Sequence, residues 1–185
     1  LPPLCLRLAS DAPGIRLQVA GRPAFDVGGV ADVSIAASQP ASPRVHVRRL
    51  LHDEYVVVAR TGHQVLAREL SSSAEGGALG LFPLAPGTLP LQQGGPLIVW
   101  QWTNEQPRVE SQNYFALALL LAQTDWIAML PRLLALELER HLALRIVPTH
   151  VDVGGFDLYM QWHERFQGDS GHRWFRRVVH EVASA

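Results

Sequence analysis

Eight histidines, one cysteine and seventeen carboxylates are the side chains through which this sequence could hold a metal or carry out catalysis. A metal site needs ligands that converge, and no two histidines stand at H-x-H or H-x-x-x-H spacing with a carboxylate partner. His172 and His180 share an expected helix but are too far apart on it to chelate one ion unaided. No metal is therefore expected, and the histidines read as surface or hydrogen-bonded groups. Catalysis needs a nucleophile, a base and a group to orient them. The chain has no Gly-x-Ser-x-Gly elbow, no phosphate-binding loop and no dinucleotide fingerprint, so neither a catalytic residue nor a cofactor is expected. Cys5 falls with Leu1, Leu4 and Leu8 on one face of a short helix, where a small core residue is the default.

Binding is the chemistry that remains, and it requires loops held at strand ends. In an open α/β sheet the ligand crevice forms just beyond those ends. Segments 36–39 and 83–89 are such loops, and Asp125 either caps its own turn or borders a crevice. The stretch that must position them is 111–142. Its first part, 114–122, is apolar almost without a break, which predicts a helix buried on nearly every side. Gln123-Thr124-Asp125 punctuates it, 126–130 has strand length, and Pro131 suits the first position of a second helix running to His141. Helix, turn, strand and helix in that order predict an open parallel sheet covered on both faces.

The rest of the chain supplies further elements. A helix over 1–10 opens with proline, 15–19 alternates like a strand, and 33–36, 45–51 and 55–59 read as strands. Residues 83–95 form a Pro- and Gly-rich loop long enough to line a cleft. Segment 96–106 carries both β-branched and aromatic residues, which favour a strand, and a leading proline, which favours a helix; helix is the expectation here. Strands over 142–147 and 156–162 precede a final helix. In it Trp174, Phe175, Val178, Val179 and Val182 face inward, and Arg173, Arg176, Arg177 and Glu181 face solvent.

Composition narrows the function classes. Nearly half of the 185 residues are apolar and the net charge is −1, as expected of a soluble globular chain. All sixteen basic residues are arginines and they are scattered, which leaves no electrostatic footprint for DNA. A lone cysteine fits a reducing, cytoplasmic setting. No apolar run reaches the length of a membrane span, and the start at Leu1 reads as the edge of a fragment.

Three blocks carry a family likeness. They are TDWIAMLPRLLA at 124–135, ADVSI at 31–35 with DEYVVVARTGH at 53–63, and WHERF at 162–166 leading to HRWFR at 172–176. Together they resemble the effector-binding domain of LysR-type transcriptional regulators. The resemblance implies an α/β fold of two Rossmann-like αβ lobes with a hinge, like type 2 periplasmic binding proteins. It implies lobe I over 1–76, lobe II over 77–152, and a return to lobe I over 153–185. A winged helix-turn-helix, a linker helix and the first sheet strand would precede Leu1, and DNA would be bound through that region. The family's longer helix near 25–30 is replaced by a Gly-rich segment, and Gln64-Val65-Leu66-Ala67 replaces the usual Pro-Leu-Ala.

The resemblance also implies sites. A small-molecule effector would lie between the lobes, lined from lobe I by Gly21, Arg22, Ala37, Ser38 and Gln39. From lobe II, Phe82, Pro83, Leu84, Gly87, Thr88 and Leu89 would face it, with Ser111, Thr124, Asp125 and Trp126. The Thr124-Asp125 pair, Trp162-His163 and Trp174 resemble the branch that senses aromatic compounds, although tryptophans in this number also suit a core. Ala37 and Ser38 stand where relatives often carry an Arg or another polar group for a carboxylate, so a flat, weakly polar effector is expected, with Arg22 as a substitute cation. A homodimer or tetramer would use Leu1, Leu4 and Leu8 against Leu133, Leu136 and Arg140. The alternative is a solute-binding protein of a transport system, which shares the fold. A small α/β enzyme is disfavoured by the missing catalytic set.

Overall fold

The computed structural model describes residues 1–20, 31–38, 40, 42–67, 97–101, 104–111, 113–148 and 155–184, with the backbone alone for 97–101, 104–108, 110 and 111. The chain divides into two compact units, Leu1–His52 with Asp157–Ala185 and Asp53–Phe156. The bounds expected at 76 and 152 lie outside the described residues.

In unit 1, helix α1 (Pro2–Asp11) opens on a proline, whose fixed φ and missing N–H suit a first helical turn. Leu8 is buried and α1 packs against α4 (Ser170–Ala183). Cys5 is exposed, against expectation; only Leu4 and Leu8 of its apolar set turn inward. Strand β1 (Ser34–Ala36) lies antiparallel to β7 (Gly155–His163), with Ser34 opposite Gln161 and Ala36 opposite Tyr159. Met160, Trp162 and Val179 form the buried cluster, with Leu4, Val33, Leu50, Phe166 and Phe175 against it. Asp169 caps α4 through the His172 amide at 2.6 Å. Arg176, expected on the solvent side, is buried, because the 3₁₀ turn Glu164–Phe166 folds over that part of α4 and takes its guanidinium.

Unit 2 is built on β2 (Val45–Arg60), whose second half runs between β5 (Trp126–Pro131) and β6 (Leu144–Ile146). The two strands expected over 45–51 and 55–59 are thus one. β5 is also paired with β3 (Leu97–Gln101), and β3 with β4 (Asn104–Ser111). Helices α2 (Tyr114–Gln123) and α3 (Arg132–His141) pack on this sheet. Val56, Val58, Leu117, Leu121, Leu130, Leu138 and Leu144 are the large members of one buried cluster. Asn113 caps α2 by accepting from the Phe115 and Ala116 amides at 3.1 and 3.0 Å. Gly62 takes φ +79° in the turn after β2; a Cβ there would meet only the Arg60 Nη1 at 3.7 Å, so conformation, not space, requires the glycine.

Four further expectations are corrected. Every strand pair whose register is described is antiparallel, because the helix–strand–helix order along the chain does not fix the direction of neighbours drawn from elsewhere in it. Segment 96–106 holds a hairpin of β3 and β4; its β-branched and aromatic content outweighed the leading proline. Residues 15–19 form no strand, and no described strand pairs with them. Helix α2 buries only Leu117, Ala118 and Leu121, leaving Phe115 and Leu119 exposed at 62% and 39%, since the sheet covers one side of it.

Candidate functional site

The described loop beyond β1 contains Ala37, half-buried, and Ser38, exposed. Its shape is set by Gln161. An extended chain would carry Ser38 about 13 Å past Ser34. Yet the Gln161 Nε2, on the residue paired with Ser34, donates to the Ser38 carbonyl, so the chain bends back over β7 beyond Ala36. Gln161 is itself buried. Sequence reasoning missed it: it sits between Met160 and Trp162, and a polar residue flanked by two large apolar ones was the available signal.

The other end of β1 is also tied. The Arg176 guanidinium, which can only donate, lies 2.6 Å from the His172 Nδ1 and 3.2 Å from the Phe166 carbonyl, so Nδ1 is the acceptor. The His172 proton then sits on Nε2, which donates to the Asp32 carbonyl at 3.0 Å. The Arg176 guanidinium also lies 4.5 Å from the centre of the Trp162 ring. Burial pulls its pKa below the ordinary arginine value, and the neighbouring Arg173 adds to the effect.

In unit 2, Thr124 is the C-cap of α2 and its hydroxyl donates to the Leu120 carbonyl at 2.9 Å. Asp125 accepts from the Arg60 Nε and Nη2 at 2.8 and 2.5 Å, across the start of β5 and the end of β2. Asp125 is therefore bound to an arginine 65 residues away, a link that no local spacing signals. Trp126 is half-buried against the main cluster. Ser111 ends β4 near the start of α2, whereas Thr124 closes its far end; a ten-residue helix separates them by about 15 Å. The structure thus gathers Thr124, Asp125 and Trp126, and sets Ser111 apart from them. Gly21, Arg22, Gln39, Phe82, Pro83, Leu84, Gly87, Thr88 and Leu89 lie outside the described residues.

The expected dimer residues divide in the same way. Leu1, Leu133 and Leu136 are exposed at 64%, 52% and 40%, and Arg140 is exposed beside Glu137. Leu8 is enclosed within unit 1, and Leu4 packs against the Met160 cluster.

Among the described residues no group of three His, Cys, Asp or Glu side chains is arranged to hold a metal. None of their helices is long and apolar enough to cross a membrane.

The family model described as the LysR substrate binding domain matches residues 1–184. HTH-type transcriptional regulator SyrM of Rhizobium meliloti (strain 1021) is 27% identical over 202 residues, covering 100% of this chain and 58% of its own. The chain thus spans little more than half the length of that relative. The regulatory domain of MexT, a transcriptional activator in Pseudomonas aeruginosa, matches in fold with a TM-score of 0.65 at 20% identity, over 97% of this chain and 91% of its own. The regulatory domain of CcmR from Synechocystis PCC6803, solved in complex with 2-PG, gives 0.64 at 15% identity, over 98% and 90%.

Proposed function

The chain belongs to the LysR substrate-binding domain family, and from that premise we propose that it is the effector-sensing module of a DNA-binding transcriptional regulator. The single observation that carries this is the family match over essentially the whole chain. The module binds a small molecule, and its closure on that ligand is passed to a winged helix-turn-helix of the full-length regulator. The effector is aromatic. Ala37 and Ser38 offer no fixed charge, and the charge of Asp125 is countered by Arg60, which engages its Oδ1. The CcmR regulatory domain with 2-PG supports a small-molecule role in general, while the aromatic assignment is our own. The module is no enzyme, and it works in the cytoplasm.

The regulator acts as a homodimer or tetramer. Exposed leucines at the start of α1 and on α3 supply the contact between copies, Leu1 at the one and Leu133 and Leu136 on the other. Leu136→Glu is expected to yield monomers in sedimentation; unchanged dimers would remove α3 from the interface.

The functional proposal is tested by comparing this chain with its full-length gene product in a gel shift. DNA binding by the full-length protein alone, altered by an uncharged substituted phenol, is the expected result. Tight sequence-specific binding by this chain alone would refute it, because its arginines are dispersed.

A further inference from the structure

We infer that Gln161 and His172 are positioning residues that clamp the two ends of β1 and so fix the Ala37–Ser38 loop, a role that rests on the proposed reading of that loop as part of the effector site. Strand β1 has three residues and three bridge partners on β7. So short a strand holds its place only with help from its flanks. On the leading side the His172 Nε2 donates to the Asp32 carbonyl, and Arg176 fixes the tautomer that makes this possible. On the trailing side the buried Gln161 amide grips the Ser38 carbonyl where the chain doubles back. Gln161 and Trp162 are neighbours on β7, and Trp162 lies under the Arg176 guanidinium. The links therefore close a ring within unit 1: Arg176 to His172, to Asp32, along β1 to Ser38, to Gln161 and back through Trp162. Displacing any member loosens the loop, although only Ala37 and Ser38 would meet a ligand.

Amide hydrogen exchange of the chain with Gln161→Met tests the trailing clamp, because methionine keeps the length and burial without the donor. Exchange across Ile35 to Ser38 is expected to quicken roughly fivefold, the scale of one lost hydrogen bond, with Val178 and Val179 on α4 unaffected. His172→Phe, which keeps the ring stacked on Phe166, is expected to quicken exchange at Val33 and Ser34 first. Gln161→Asn keeps the donor on a shorter arm and is expected to fall between wild type and Gln161→Met. Unchanged exchange across 33–38 in both Gln161→Met and His172→Phe would overturn the inference. Affinity for an uncharged substituted phenol, measured on the same variants, separates the two ideas. A weakened affinity together with a loosened loop supports both, and a loosened loop with undiminished affinity removes Ala37 and Ser38 from the site while leaving the clamps standing.

Discussion

Unit 2 and unit 1 are held together by different chemistry. In unit 2, α2, β5 and α3 follow one another along the chain and pack onto β2, and the large buried cluster they share is apolar. In unit 1 the buried cluster comes down to Met160, Trp162 and Val179. Around it the structure uses directional contacts: Arg176 over Trp162, His46 stacked on Trp162 at 5.6 Å, His172 stacked on Phe166 at 4.7 Å, and Gln161 on a carbonyl. Apolar burial tolerates small rearrangements, whereas a hydrogen-bonded ring has one geometry. A domain that reads a ligand benefits from both, a firm body on one side and an exactly seated loop on the other.

The contrast is broken most severely by cutting into the unit 2 core. Leu130 and Leu121 are fully enclosed, and replacing either with Ala is expected to cost about 3 kcal/mol in denaturant unfolding. A cost under about 1 kcal/mol would mean that this interior collapses around the gap as a loosely packed one does. In unit 1, Arg176→Ala is expected to cost about 2 kcal/mol, because it leaves the His172 Nδ1 and the Phe166 carbonyl without their donor. Arg176→Met, which restores the stem but not the donors, sharpens the comparison. If it is as stable as wild type, unit 1 is held by burial after all.

A smaller effect is expected at Asp53. Helix α3 begins on Pro131, which has no capping side chain. Asp53 supplies the cap from β2, its carboxylate accepting from the Leu133 amide at 3.3 and 3.4 Å and from the Glu54 amide at 2.9 Å. Arg132 and Glu54 add an exposed pair at 3.1 Å. Asp53→Ala is expected to cost about 1 kcal/mol, and Glu54→Ala close to nothing, by thermal melting. Equal losses would show that the exposed pair, not the cap, seats α3.

How much of this was legible depended on range. Elements set by local periodicity could be read: α1 from its leading proline and leucines, α3 from Pro131 onward, and α4 from its apolar and charged faces. What could not be read was set by residues far apart. The direction of β5 depends on β2 and β3; the burial of Arg176 depends on a 3₁₀ turn ten residues before it; Asp125 is occupied by Arg60. Thr124, Asp125 and Trp126 stand together because they are adjacent in sequence. Ser111 was joined to them through a fold-level expectation and stands at the other end of α2. The contacts of Gln161 and His172 with the Ser38 and Asp32 carbonyls escaped notice because backbone carbonyls carry no mark in a sequence.

The smallest effect lies where β2 and β7 leave unit 1, at Asp157. Its Oδ1 accepts from the His52 Nδ1 at 2.9 Å and the Arg49 Nη2 at 2.8 Å, and its Oδ2 from the Tyr159 hydroxyl at 3.3 Å. These contacts, the His52 hydrogen bond first and Arg49 next, hold the carboxyl below its ordinary pKa. A carboxyl depressed in the folded state stabilises the fold at pH values above its unfolded pKa of about 3.9, and loses that contribution as the pH falls through the lower folded value. Wild type is therefore expected to melt slightly above Asp157→Asn between about pH 5 and 7, and the two curves to converge in stronger acid. The difference is small because the pair faces water and salt screens it, so added salt should narrow it further. A gap that persists unchanged into acid would mean that Asp157 acts through the shape of its hydrogen bonds, like Gln161, and would move this edge of the molecule to the hydrogen-bonded side of the comparison.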